Sequence, residues 1–258
     1  MNSLLKDIYY SPVKSLSFIR LEQSKVKKKL GILNDRLFAF SRNISLEKSK
    51  LIEKYPEERN LNNFLTLKNS PTLNKYNFTY INKELTLKKE NHDVISILSN
   101  NLNQFYKISN KLNDLESSLS NPTFLMKNKF FPFFDTTHSK NIANSISLIN
   151  LNSIIDLEKK SGEKIEFQRF RSNLYINGIE PWQERTWLNK NIKINNILFK
   201  VEKHIARCSA TNLKPNSDNV TINLPMTLKK IYNHIDMGIY ITPLEDGEIN
   251  IGDQVVLS

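Results

Sequence analysis

One thiol and a few arginines carry most of the chemistry this sequence can offer. Cys208 is the only cysteine in 258 residues, and it follows Lys203, His204 and Arg207. Cations beside a thiol favour the thiolate, which is the form that binds a soft metal or carries sulfur. A lone cysteine is also commonly a small buried apolar residue, and both readings stand on chemistry alone. Three further stretches could meet an anion. Lys14 and Ser15 follow Pro12 and present an ammonium and a hydroxyl side by side, either for an anionic oxygen or as a plain surface turn. Asn34-Asp35-Arg36 sets an arginine in a polar turn, while Arg169, Arg171 and Asn173 are spaced two apart. An extended backbone would place those three on one side, as a grip for a phosphate or a polar heterocycle.

Arginine is informative because lysine is the default cation here: only eight of the 37 basic residues are Arg. A guanidinium holds phosphate or carboxylate in two places, which an ammonium cannot do. The formal charge of +11 is therefore not read as a nucleic-acid surface. The lysines are scattered, and aromatics do not interleave with them, so no nucleic-acid partner is expected. One cysteine excludes an intrachain disulfide framework and an all-cysteine metal site. The four histidines, His92, His138, His204 and His234, show no nucleophile–base motif and no H-x-x-x-H spacing. No stretch is long and apolar enough to span a bilayer, and Asp7 interrupts an N-terminus without an apolar core. A cytoplasmic protein without a membrane span is the expectation.

The elements that must position these residues read mainly as strands. An extended run over Leu4–Tyr10 stops at Pro12, and Phe18–Val26 alternates apolar and polar residues. Tyr76–Ile81, a turn at Asn82–Lys83 and Leu85–Lys88 form a hairpin. The stretch from Glu57 to Pro71 is expected to hold a short helix, and Asp93 to cap another carrying Val94, Ile97 and Leu98. Polar residues from Asn100 to Pro122 link two subdomains with some helix, and the aromatic run after it is read as core packing and a surface loop reaching Asn141 rather than as a membrane insertion patch. A strand over Ile146–Ile149 enters Asn150, followed by a helix with Leu151, Ile154, Ile155 and Leu157 on one face and Gly162 as its C-terminal cap. Asp246–Gly247 is expected to turn a final hairpin. No G-x-G-x-x-G or P-loop is present, and a strand-rich chain with few helices closes most easily as a barrel.

In order along the chain, "IYYSPVKSL", "GILNDRLFAF", "SISLINLNSIIDLE", "RFRSNLYINGIEPWQERTW", "RCSATNLKPNSD" and "GIYITPLEDGEINIGDQV" resemble the MOSC family, named for the C-terminal domain of molybdenum cofactor sulfurase. The chain is similar to its amidoxime-reducing molybdenum proteins. The resemblance implies a mostly β fold with few short helices: an N-terminal β-barrel-like domain over 1–105, a linking segment over 106–119 and a MOSC β-barrel domain over 120–258. It implies a molybdenum cofactor (Mo-pyranopterin) with Cys208 as the metal ligand and catalytic centre. Lys14, Ser15, Arg36, Asn150, Arg171, Asn173 and Arg207 match the family's cofactor-binding positions. The implied activity is a molybdenum-dependent oxidoreductase that reduces N-hydroxylated small molecules. Its electrons would come from a separate ferredoxin- or cytochrome-like donor protein, since these 258 residues hold no cysteines for a cluster. A sulfur carrier with a Cys208 persulfide and a non-catalytic cofactor-binding module are the alternatives. Pyridoxal phosphate is not expected in this chain. Relatives often carry an acidic pair after the Arg-x-Asn segment, where this chain keeps Glu184 alone.

Overall fold

The computed structural model describes residues 3–90, 92–119, 122–134 and 146–258. His138 and the part of the expected surface loop from Asp135 onward lie outside the described residues. The first half runs β1 (Ser3–Tyr10), β2 (Ile19–Leu21), β3 (Gln23–Lys27), β4 (Gly31–Ile32), β5 (Phe38–Phe40), α1 (Leu46–Lys54), β6 (Tyr76–Ile81), β7 (Glu84–Lys89), β8 (His92–Leu98), α2 (Leu102–Leu115) and β9 (Leu125–Lys127). The second runs β10 (Ile146–Asn150), α3 (Leu151–Ser161), β11 (Leu174–Asn177), β12 (Asn191–Ile194), β13 (Ile197–Ala206), α4 (Leu224–Tyr232), β14 (Asp236–Pro243), β15 (Gly247–Asn250) and β16 (Gln254–Leu257).

Seven strands close a barrel in the order β1-β11-β10-β14-β13-β12-β16, with β16 returning to β1. Only β10 and β11 pair in parallel within this ring. Closure removes the open edges that a flat sheet of this size would leave. Alternation fills the barrel: Ile146 and Leu148 of β10 and Leu174 and Ile176 of β11 join its core with Leu5, Ile8, Phe199 and Ile239. The intervening Ile149 and Tyr175 pack outward against Ile154 and Leu157 of α3 and Leu224 and Leu228 of α4. The protein is thus mostly β with few short helices. Strand β1 joins this ring from the N-terminal part of the chain, and in a separate three-stranded sheet β3 pairs with β15 on one side and β4 on the other. A second core gathers Phe38, Phe40, Phe78, Leu85 and Leu87. The β6-β7-β8 sheet and α2 pack around it; Phe105, Ile108 and Leu112 of α2 are buried there, so much of the polar linking stretch is an amphipathic helix.

Strand β10, helix α3 and the left-handed cap at Gly162 (φ 73°) fall where the sequence puts them, with Asn150 as N-cap. Three local expectations fail. Asp93–Leu98 belongs to strand β8, which pairs with β7; its Val94, Ile95 and Ile97 are β-branched and favour that pairing over a helix. The Glu57–Pro71 stretch makes only short 3-10 turns at Pro56–Glu58 and Leu61–Asn63. There Asn60 and Asn69 accept from the backbone amides of Asn62 and Thr66, which competes with helix formation. Asp246–Gly247 does not fold β15 back on β14. The Asp246 carboxylate instead accepts from Lys27 Nζ and the Lys28 amide, both at 2.7 Å, and β15 pairs with β3.

Candidate functional site

The turn after β1 is built to hold an unusual backbone. Lys14 donates its amide to the Phe38 carbonyl (2.8 Å), and Ser15 adopts φ 63°. Asp35, 1 % exposed, anchors this turn from the neighbouring one. Its carboxylate accepts from the Ser11 amide at 2.7 Å, from the Asn173 side-chain amide at 3.1 Å and from the Arg36 guanidinium. Burial pushes the Asp35 carboxyl above the usual carboxylate range, while Arg36, the Ser11 amide and Asn173 pull it back. The Ser11 hydroxyl then donates to the Ser17 carbonyl, which also accepts from the Arg171 guanidinium. A continuous polar path therefore runs Arg36–Asp35–Ser11–Ser17–Arg171. Ser15, Arg36 (φ 51°) and Arg171 (φ 50°) all occupy the left-handed region. That conformation is costly for residues with side chains and concentrates at functional sites.

Arg169, Arg171 and Asn173 do not form the expected row. Phe167–Phe170 is a 3-10 turn, and the left-handed Arg171 ends it, so the side chains diverge. Arg169 donates to the Glu166 carboxylate (2.6 Å), the Asn212 carbonyl (3.0 Å) and the Thr221 hydroxyl (2.6 Å). Asn173 is buried: it accepts from the Ser147 amide and hydroxyl and donates to the Tyr9 carbonyl and Asp35. Arg171 lines a cavity of about 360 Å³. The rings of Tyr9 and Phe18, stacked 4.1 Å apart, also line it, as do Leu67 and Asn74 from the first half and Ala210, Leu213 and Lys214 from the loop beyond Cys208.

Cys208 is exposed. Two irregularities in the β13–β14 pairing, between Val201 and Lys203 and between His204 and Ala206, precede it and re-aim the chain end. Its carbonyl accepts from the Thr211 amide (3.1 Å) and hydroxyl (2.8 Å), which winds Ser209–Asn212 into a 3-10 turn and leaves the side chain outside. Arg207 clamps this strand end. It donates Nε to the Met237 carbonyl and Nη1 to the Phe170 carbonyl, both at 2.9 Å, with its guanidinium 5.5 Å from the Phe170 ring. Burial pulls the Arg207 guanidinium below its ordinary range.

The structure thus connects Cys208 through Arg207 and Phe170 to Arg171, and Arg171 to the Ser11–Ser17 turn. Lys14 is held by a separate contact: it is 2 % exposed and donates Nζ to the Phe133 carbonyl at 3.1 Å. The Phe133 amide in turn donates to the Arg36 carbonyl. Asn150 stands apart. It is fully buried, accepts from the Asn152 amide as helix cap and donates to the Glu180 carbonyl at 2.8 Å. Sequence reading missed Ser11, Ser17, Tyr9 and Phe18; a serine on each side of the Pro12 turn was the available signal.

Residues 135–256 match the MOSC domain family. Among curated proteins, the chain is 25% identical over 122 residues to mitochondrial amidoxime reducing component 2 of Rattus norvegicus, covering 43% of this chain and 36% of that protein. The same protein of Bos taurus is 23% identical over 142 residues, covering 50% and 42%. The chain thus spans well under half the length of these relatives. Among solved structures, the YUAD protein of Bacillus subtilis aligns over 99% of this chain and 94% of its own at 10% identity, with a TM-score of 0.45.

Proposed function

We propose that this chain, whose residues 135–256 are a MOSC domain, binds a molybdenum cofactor beside Cys208 and reduces N-hydroxylated small molecules with electrons from a separate donor protein. The observation that carries this reading is the exposed Cys208 sulfur, set by Arg207 and the 209–212 turn next to the loop that walls a cationic cavity. Arg169, Arg171 and Lys214 line that cavity against one carboxylate, Glu166. The balance suits an anionic group, and the thiol suits a soft metal, so the residues present fit this cofactor. The cofactor would supply the two-electron chemistry that removes oxygen from the substrate.

The chain's own residues do the rest. Cys208 would hold the metal through its sulfur. Arg171 places its guanidinium on the cavity wall, oriented by the Ser17 carbonyl, and would neutralise anionic charge there. Arg207 acts as a positioning residue, since the carbonyls of Met237 and Phe170 already take its donors. Asp35, Ser11 and Asn173 keep the Lys14–Ser15 and Arg36 turns in register with the barrel. The relatives' name, which speaks of amidoxime reduction, supports the substrate class.

The exposure of the thiol also favours a second reading, sulfur transfer through a Cys208 persulfide. Metal, pterin and labile-sulfur analysis of protein purified from a cofactor-producing host separates the two. The cofactor reading expects molybdenum and pterin in equal amounts with protein, and reduction of an amidoxime by a supplied reductant. Labile sulfur without molybdenum supports transfer. Cys208→Ser is expected to fold and lose both metal and turnover; full occupancy and full turnover in that variant overturn the ligand assignment.

A further inference from the structure

Away from the cavity, three segments converge on Ser99. Its amide donates to the Lys83 carbonyl in the β6–β7 turn (2.8 Å), and its carbonyl accepts from Lys127 Nζ (2.9 Å). The hydroxyls of Ser99 and Tyr80 also meet at 3.0 Å. Large apolar side chains protrude from these segments: Ile81 is 65 % exposed, Leu98 49 %, Leu102 67 % and Phe130 69 %. The register sets Ile81 and Leu98 on either side of Glu84. Asn128 holds Phe130 outward by accepting from the Phe130 and Phe131 amides.

Cations surround these side chains. Lys83 and Lys129 are exposed and both bear electrostatically on Lys127, and Lys129 Nζ lies 4.8 Å from the Phe130 ring. Glu84 stands among them, and the half-buried Glu53 carboxylate accepts from the Lys127 amide at 2.7 Å. The wider charge runs the same way. Residues 1–134 hold 22 of the 37 basic residues and 12 of the 26 acidic ones, so they carry +10 of the formal +11. Isolated apolar side chains at the ends of strands and a helix and in the bend after β9, flanked by lysine, match the arrangement that inserts into an anionic lipid interface. A second copy of this chain would set the lysines against like charges. An electron donor would dock near the cavity, whereas Ile81 lies at the far end of β6 from Asn74 on the cavity wall, roughly 17 Å on from Tyr76.

We infer that the surface around Ile81, Leu98, Leu102 and Phe130, with Lys83 and Lys129, docks peripherally on anionic lipid bilayers. No spanning segment is involved: among the described residues no helix is long and apolar enough to cross a membrane. The inference stands independently of the cofactor.

Co-sedimentation of the full chain with vesicles tests it. Binding is expected to phosphatidylcholine vesicles containing phosphatidylglycerol and not to phosphatidylcholine alone. Neutralising Lys83 or Lys129 with Gln is expected to weaken the partition about fivefold each. Ile81→Ser with Phe130→Ser is expected to weaken it with the charge unchanged. All four side chains are exposed, and an unchanged melting temperature verifies folding. Equal binding to both vesicle types, no binding to either, or variants that bind like wild type overturn the inference. Weakening by the lysine variants alone also overturns it, since adhesion would then be electrostatic without insertion. Capture of an acidic protein by this surface, with no vesicle binding, overturns it in favour of a protein partner.

Discussion

The Asn173 side-chain amide donates to the buried Asp35 carboxylate at 3.1 Å, joining residues 138 positions apart. The contact ties a turn from the first half of the chain to the start of a barrel strand. Both residues stand in stretches that the sequence singles out for ligand binding. In the structure neither residue lines the cavity; Asn173 holds the carbonyl of Tyr9, which does.

Asn173→Ala is therefore expected to cost roughly 2–4 kcal/mol, because it removes the acceptor of the Ser147 amide and hydroxyl together with the donor to the Tyr9 carbonyl and Asp35. Urea denaturation measures it. A change within about 0.5 kcal/mol would show that the network is not needed to hold the turn.

Cys208 is exposed, so cofactor-free protein is expected to release one equivalent of thionitrobenzoate from Ellman's reagent without denaturant. Slow release that accelerates only on unfolding would contradict the exposed placement. Arg207→Lys is expected to change the release rate, since an ammonium cannot grip the carbonyls of Met237 and Phe170 together.

Glu184 is fully buried, and burial pushes its carboxyl up to about 7 while the Ser153 hydroxyl pulls it down. The folded state therefore holds a proton that the unfolded chain releases near its ordinary 4.5. Stability from this group is fully present below pH 4.5 and is lost as pH rises to about 7, on the order of 3 kcal/mol in all. Glu184→Gln should flatten that part of the profile and melt higher than wild type above pH 7. Parallel profiles for the two proteins would refute the assignment.

Gly238 sits in β14 with φ 79°, and an added Cβ would meet the Leu148 carbonyl oxygen and Ile149 Cγ1, each at 2.5 Å. Gly238→Ala is expected to destabilise the barrel by more than about 2 kcal/mol, through strain and overlap with a backbone that cannot swing aside. Calorimetry should show a melting temperature several degrees lower; an unchanged one rules out the packing described.

Local chemistry made part of this molecule legible. The β10–α3 unit could be read because a short apolar strand, a helical apolar face and Gly162 all act within a few residues of one another. The Cys208 segment stood out because one thiol beside scarce arginine is a matter of composition. Helix α1 passed unnoticed although Ser45 caps it, for its apolar face is short, with Ile52 its one buried hydrophobic residue. Tertiary structure alone decided that β1 closes a barrel with β11 and β16, that β8 is a strand and that β15 pairs with β3. It also decided that Asn150 and Asn173 spend their amides inside the protein while Arg171 reaches the cavity. A residue's type says which bonds it can make. Which of them it makes depends on partners brought near by pairing across a hundred residues or more, and no local pattern encodes that proximity.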